Sequence, residues 1–309
     1  MVTMIYCLYK LKFPFGLHLG NGSLSDYSIN LCADTLFSAL CIEALKKNCL
    51  HDFVNLAKSE KMKLSDAFPF IGKKLYIPKP IMKIKSDEKV EDTEKIFKNL
   101  KYIPLSMAQE YAKGNYTSIM AKEENTNFKI GKGELHTKVS ISRQGEDVEP
   151  YHVGVFRFFE EAGLYFIAYV PNNEIKDMLS SLLTSLSATG IGGKKSTGIG
   201  QFTIEESTSP VNFDNDAPLH ILLSVGLPKE SEMQNTLINA SYSLIKRSGF
   251  VSSSTYAETF LRKKDLFVFS SGSVFKNKFT GDIYDVSNKG AHPVYSYAMP
   301  IFLGIDGDF

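Results

Sequence analysis

The chain has 309 residues, enough for two domains of ordinary size, and a hydrophobic content of 43% that excludes global disorder. Its net charge is only +1, so any nucleic-acid surface must be local and offset by acidic surface elsewhere. Cys7, Cys32, Cys41 and Cys49 show no C-x-x-C spacing and no companion histidine cluster, so they read as buried thiols in a reducing cytosol rather than as metal ligands.

The N-terminal apolar run is too short for a signal peptide, and no later stretch approaches a membrane span. A cytoplasmic protein without membrane contact is expected. Residues 4–13 read as a strand in which Tyr9, Leu11 and Phe13 alternate with Lys10 and Lys12, giving one apolar and one basic face. Pro14 and Gly16 break it, and residues 17–20 briefly continue it. A helix follows over 33–47, with Ala33, Leu36, Phe37, Leu40, Cys41, Ala44 and Leu45 in one stripe. Its first turn holds Asp34 and Thr35. Two readings stand side by side: a carboxylate favoured by the helix dipole, or a functional pair at the same end. Residues 51–57 predict a second short helix.

From 61 to 135 the pattern weakens, with a helix possible over 90–100. A segment of this length with little core of its own is expected to be a functional insertion whose charges mostly face solvent. Order returns at 136–143, where Val139 and Ile141 alternate with polar residues and His136, Lys138 and Arg143 add a basic character. Strands over 153–159 and 164–170 flank Glu160-Glu161-Ala162-Gly163 and predict a hairpin. Asn172 or Asn173 caps the next helix, whose buried stripe is Ile175, Met178, Leu179, Leu182, Leu183 and Leu186. A strand over 200–206 completes the order βαββαβ, the ferredoxin-like arrangement.

Residues 207–218 read as a linker. Beyond it Leu219, Ile221, Leu223 and Val225 alternate in a strand, and Ser231-x-x-Gln234 forms a capping box. Met233, Leu237, Ile238, Leu244 and Ile245 then predict a helix that Gly249 ends. Strands follow at 266–270, 273–276 and 295–303. The expected fold class is α+β: two ferredoxin-like (RRM-like) domains, 1–207 and 208–309, with a thumb-like insertion within about 61–150 of the first.

The stretch joining the first domain's last helix to its last strand stands out. Gly190, Gly192, Gly193, Gly198 and Gly200 fall within eleven residues, with Lys194, Lys195, Ser196 and Thr197 between them. A tight turn needs one or two glycines, so five point to backbone lying close to a ligand. N–H groups, cations and hydroxyls together suit a phosphate. A Walker loop is excluded, because Ala188 replaces its first glycine and Lys195 follows Lys194. A dinucleotide loop is excluded too, since Lys195 or Thr203 stands at its third glycine and the context runs helix to strand. A nucleic-acid backbone is the expected ligand, and no cofactor is expected.

No catalytic constellation is evident. Of the six histidines, His220 in an apolar strand reads as a satisfied core residue and His292 as a loop residue. The acid pairs Glu123-Glu124 and Glu160-Glu161 fall in turns and read as solvated. His18 lies between the first strand and first helix, where an RNA-cleaving enzyme could place a general base. A structural or RNA-contacting histidine is the commoner outcome there.

Asp34-Thr35-Leu36-Phe37-Ser38-Ala39-Leu40, the glycine stretch 190–202, and His292-Pro293-Val294-Tyr295 leading to Pro300-Ile301 look like the RAMP superfamily. Within it the chain resembles the fourth Csm subunits of type III-A CRISPR interference complexes. The basic strand at 138–143, followed by Gly154-Val155-Phe156, is similar to the same family's. The resemblance implies a non-catalytic subunit that binds the 5′ handle of the CRISPR RNA. It also implies docking against the large polymerase-like subunit and the first backbone subunit, with target RNA nearby in the assembled complex. A thumb within 80–150 would kink the guide or target duplex. Handle binding would fall to Gly190, Gly192, Gly193, Lys194, Lys195, Ser196, Thr197, Gly198 and Gly200, with Lys138 and Arg143. His136, His18, Asp34 and Thr35 complete the expected RNA-binding set. The alternative within the superfamily is a CRISPR RNA-processing endoribonuclease using His18 as base.

Overall fold

β1 (Ile5–Lys12) is an inner strand of the main sheet in the computed structural model, which describes residues 5–20, 22–82, 91–139, 150–208, 213, 216–253, 255–259 and 261–307. After it come α1 (Ala33–Lys46), α2 (Leu50–Lys58), β2 (Lys63–Leu64), β3 (Phe68–Ile71), β4 (Lys74–Pro78), α3 (Glu91–Asn99), β5 (Tyr102–Pro104), α4 (Ala108–Ala112) and α5 (Ser118–Asn127). Then follow β6 (Gly131–Val139), β7 (Pro150–Phe158), β8 (Ala162–Val170), α6 (Asn173–Thr189) and β9 (Thr203–Thr208). The main sheet is antiparallel in the order β5-β4-β3-β8-β1-β9, with β2 continuing β3 along β8.

Period-two alternation sends Tyr9, Leu11 and Phe13 to one face, where α1 and α6 cover them. α6 begins where Asn172 Oδ1 accepts the Ile175 N–H at 2.9 Å and ends at Gly190, whose φ is +82°. Its stripe buries Leu179, Leu182, Leu183 and Leu186 completely, each worth about 1.5–3 kcal/mol. The opposite face is also covered. Leu8, Tyr165 and Ile167 pack there against Phe68, Ile77, Ile103 and Tyr111, and against Ile221 and Leu303 from the C-terminal region. Consequently the expected basic face of β1 is not free: Lys10 Nζ donates to the Gly72 carbonyl at 2.9 Å over the Phe70 ring.

This second core corrects the expectation that 61–135 lacks one. β3, β4 and β5 widen the main sheet, and α4 and α5 pack beneath it. The weak periodicity reflects short elements buried by distant partners. Glu124, expected to be solvated, is buried. Its carboxylate takes Lys74 Nζ at 2.7 Å and the Tyr76 hydroxyl at 2.8 Å. Glu160 and Glu161 are exposed as expected. The predicted hairpin is corrected too. The turn after β7 forms, but β7 pairs with β6 from Gly131↔Phe158 to Val139↔Pro150, while β8 pairs with β1 and β3. Both partners of β8 lie far away in sequence, which local alternation does not reveal.

The C-terminal region holds β10 (Leu219–Leu222), α7 (Met233–Thr236), β11 (Ala240–Ser241), β12 (Leu244–Arg247), β13 (Leu266–Phe269), β14 (Val274–Phe275), β15 (Asp282–Asp285), β16 (Tyr295–Ala298) and β17 (Phe302–Ile305). A four-stranded sheet runs β11-β14-β10-β17. The long helix expected after Ser231 is a single turn. Glu232, not Ser231, organises it: one carboxylate oxygen accepts the Lys229 N–H, the other the Thr280 N–H and hydroxyl. Asn239 in the left-handed region then turns the chain into β11. Leu237 and Ile238 are exposed, so a continued helix would have no core to cover. His220 is buried, yet its Nδ1 has no hydrogen-bond partner, which corrects the satisfied core histidine; burial drops its pKa to about 4. Among the described residues no helix is long and apolar enough to cross a membrane.

Two buried carboxylates tie the chain's halves together. Asp66 Oδ1 accepts the Ala33 N–H at 2.7 Å, capping α1 from a distance, and the Val225 N–H at 2.9 Å. Burial pushes Asp66 from 3.8 up to about 6, against the lowering effect of those same bonds. An acid whose pKa rises on folding favours the folded state below the unfolded value and loses that contribution between 3.8 and about 6. Asp66→Asn keeps the Oδ1 acceptor without the buried charge. It should raise stability by about 1–3 kcal/mol at pH 8, with the gain vanishing below pH ~4. Asp66→Ala strands both donors and should cost about 1–3 kcal/mol for each. Urea unfolding at both pH values checks this, and an asparagine variant as unstable as the alanine variant would refute it.

Candidate nucleic-acid interface

The glycine stretch folds as a crossing of three chain segments. After Gly190, the Ile191 N–H donates to the Gly200 carbonyl, the Gly193 N–H to His18, and the Gly200 N–H to Gly16, each at 2.9 Å. A short 3-10 turn over Lys195–Thr197 has Lys194 and Gly198 in the left-handed region on either side. A Cβ on Gly200 would lie 2.0 Å from the Ile191 carbonyl oxygen, and one on Gly192 2.4 Å from that of His18. These glycines are therefore required by close internal approach. The expected cradle of N–H groups is corrected: those of Gly190, Ile191, Gly193, Thr197, Gly198 and Gly200 all bond within the protein. What the loop offers outward is side chains, with Ser196 and Thr197 exposed and Lys194 and Lys195 half-buried.

The β6–β7 ribbon completes the surface. Ile199 packs on Val153 and Val155, fixing the loop against the ribbon. Lys194 Nζ sits 5.0 Å from the centre of the Tyr151 ring. Lys138 Nζ donates to Thr197 Oγ1 at 3.4 Å, and that hydroxyl donates to the Lys194 carbonyl at 2.9 Å. Further along, His136 Nε2, Lys132 Nζ and Arg157 Nε surround the Glu134 carboxylate. Hydrogen bonds from Lys132, Arg157 and His136 hold Glu134 down at about 2.

The structure thus brings together Lys138, His136 and the glycine loop. His18 lies beneath them, only 5% exposed, with Nδ1 2.5 Å from the Gly154 carbonyl oxygen and its own carbonyl holding Gly193. That position suits a spacer that shapes the loop better than a base that must reach a substrate. Arg143 lies outside the described residues. Asp34 and Thr35 point elsewhere: Arg247 grips the Asp34 carboxylate through Nε and Nη2, both at 2.8 Å, and Nη2 also reaches Thr35 Oγ1 at 3.0 Å. Burial opposes charge on Arg247, but the Asp34 carboxylate overrides it and lifts the guanidinium pKa above its usual value. Tyr151, Arg157, Lys132 and Glu134 did not emerge from the sequence. Their alternation on β6 and β7 was visible, but the pairing that assembles them was not. Among the described residues, no group of three or more His, Cys, Asp or Glu is placed to hold a metal ion.

Comparison with known proteins adds to this geometry. A RAMP superfamily model matches residues 35–203, and a CRISPR Csm4 C-terminal domain model matches 215–305. The "CRISPR system Cms protein Csm4" of Mycobacterium tuberculosis is 37% identical over 297 residues, covering 95% of this chain and 96% of that protein. That of Streptococcus thermophilus is 32% identical over 318 residues, covering 98% and 100%. The crystal structure of a Csm3-Csm4 subcomplex from the type III-A CRISPR-Cas interference complex matches with a TM-score of 0.66 at 20% identity, covering 96% of this chain and 98% of that one. A Csm1-Csm4 cassette with pppApA matches with a TM-score of 0.63 at 19% identity, covering 98% of each.

Proposed function

The chain belongs to the Csm4 family of the RAMP superfamily, and from that premise we propose that it is a non-catalytic, RNA-binding subunit of a cytoplasmic type III-A CRISPR interference complex. It holds the 5′ handle of the CRISPR RNA. In doing so it bridges the large polymerase-like subunit and the first backbone subunit, with target RNA passing nearby. The observation that carries this reading is the convergence of Lys194, Lys138, Thr197 and Tyr151 where the glycine loop meets the ribbon. Cations, hydroxyls and an aromatic ring suit a single-stranded phosphate backbone with unstacked bases. The glycines and His18 give the loop its shape, while Lys194, Lys195, Ser196, Thr197, Lys138, His136 and Arg143 make the contacts. Asp34 and Thr35 act indirectly, by anchoring α1 to Arg247.

We read the strand order β3-β8-β1-β9 with α1 and α6 as a ferredoxin-like unit over 1–207, and the C-terminal sheet as its divergent counterpart over 208–309. The thumb is the β6–β7 ribbon, which pairs within itself rather than joining the main sheet. Capture of the tagged protein from its host, with sequencing of bound RNA and identification of co-purifying proteins, should return CRISPR RNAs sharing one 5′ end together with the other subunits. Metal-independent cleavage of repeat RNA by the purified chain, lost in His18→Ala, would instead establish the endoribonuclease.

A further inference from the structure

Glu134 is the sole acid in β6 and β7, and three cationic side chains converge on it. Lys132 Nζ lies 3.1 Å from Oε1, while Arg157 Nε at 3.1 Å and His136 Nε2 at 3.4 Å share Oε2. Arg157 is steadied by a second bond, from Nη1 to the Pro14 carbonyl at 3.4 Å. Beside it Phe15 is 55% exposed. The Glu134 side chain is 25% exposed, and its partners range from 32% to 65%. Ion pairs this wet contribute little stability, so the fold does not need three donors on one carboxylate. Converging donors on two oxygens are what a phosphate requires. The cluster also lies on the strand face that carries Lys138 to Thr197, about 20 Å of strand from Lys132 to Lys138.

We propose that Lys132, His136 and Arg157 form a second phosphate seat for single-stranded RNA, which the Glu134 carboxylate occupies until a backbone phosphate displaces it. The proposal rests on the handle-binding reading and extends it. The RNA runs from the glycine loop along the ribbon towards Phe15, whose exposed ring offers a base a stacking surface. Glu134 acts as a built-in competitor that weakens the far end of the track.

The test uses the full-length protein and a labelled single-stranded RNA carrying the host's repeat-derived 5′ handle, titrated over a KCl series. Glu134→Gln frees the cations and should tighten binding about 3- to 10-fold at low salt, steepening the log–log salt slope by ~0.7. Adding Lys132→Ala to that variant should return the affinity to the parent's. Glu134→Ala frees the same cations and replaces the glutamine variant if thermal unfolding shows that one to be misfolded. Unchanged or weaker binding overturns the seat, as does a gain that Lys132→Ala leaves intact. A change in subunit co-purification at unchanged RNA affinity also overturns it, by making the cluster a protein contact. Lys194→Ala with Lys195→Ala separates the two readings. If that pair leaves handle binding untouched, the handle assignment itself fails. If it weakens binding while Glu134→Gln does nothing, only the second seat fails.

Discussion

Replacing Arg247 by alanine is expected to destabilise the protein by about 3–5 kcal/mol, because it leaves the Asp34 carboxylate buried without its partner. Asp34 is only 3% exposed, and both its oxygens are taken by one guanidinium. A loss of that size is a large share of the 5–15 kcal/mol that stabilises a typical domain. The same bonds join α1 to β12, so the variant should also impair assembly with neighbouring subunits. Arg247→Met combined with Asp34→Leu removes both charges together and should recover most of the stability, since the pair must desolvate two ions to form. Urea unfolding of the three proteins decides the matter. A loss below about 1 kcal/mol in Arg247→Ala would mean the pair behaves as an exposed one.

Lys194→Ala with Lys195→Ala should weaken handle binding about 10- to 100-fold and leave the fold intact. Each lysine is half-buried, and neither forms a salt bridge among the described residues. Hydrogen bonds to charged groups contribute about 1.5–3 kcal/mol each, so two lost or partly lost contacts span that range. The salt slope should fall by about 1.4 if both lysines neutralise phosphates. Guide RNA occupancy in the purified complex that matches the parent's would remove the loop from the binding site. Unfolding midpoints measured alongside show whether any loss is structural.

The sequence made some of this legible and hid the rest for physical reasons. α1 and α6 were readable because each buries a stripe at helical spacing against one face of the sheet. The Asn172 cap was readable because it is local. The glycine stretch was conspicuous, but the reason for its glycines was not. Gly192 and Gly200 are demanded by His18 and Ile191, chain segments whose approach only folding creates. The β6–β7 pairing was invisible because β7 alternates as well for one partner as for another, and the second core because its elements are short. The helix after Ser231 failed for a related reason. Met233, Leu237, Ile238, Leu244 and Ile245 share a helical face on paper, yet the core there is filled by Phe269, Phe275, Phe279 and Phe302. Asp34 and Thr35 were singled out correctly as unusual. Their partner, Arg247, lies 213 residues from Asp34, beyond the reach of any local pattern.

The most direct test of the central claim is photo-crosslinking in the assembled complex. The handle of the guide RNA is substituted with 4-thiouridine, and the attached peptides are identified by mass spectrometry. The account predicts crosslinks from this subunit within 190–202 and on the strands 131–139 and 150–158. Crosslinks confined to other subunits, or falling on this chain only outside those stretches, would contradict it.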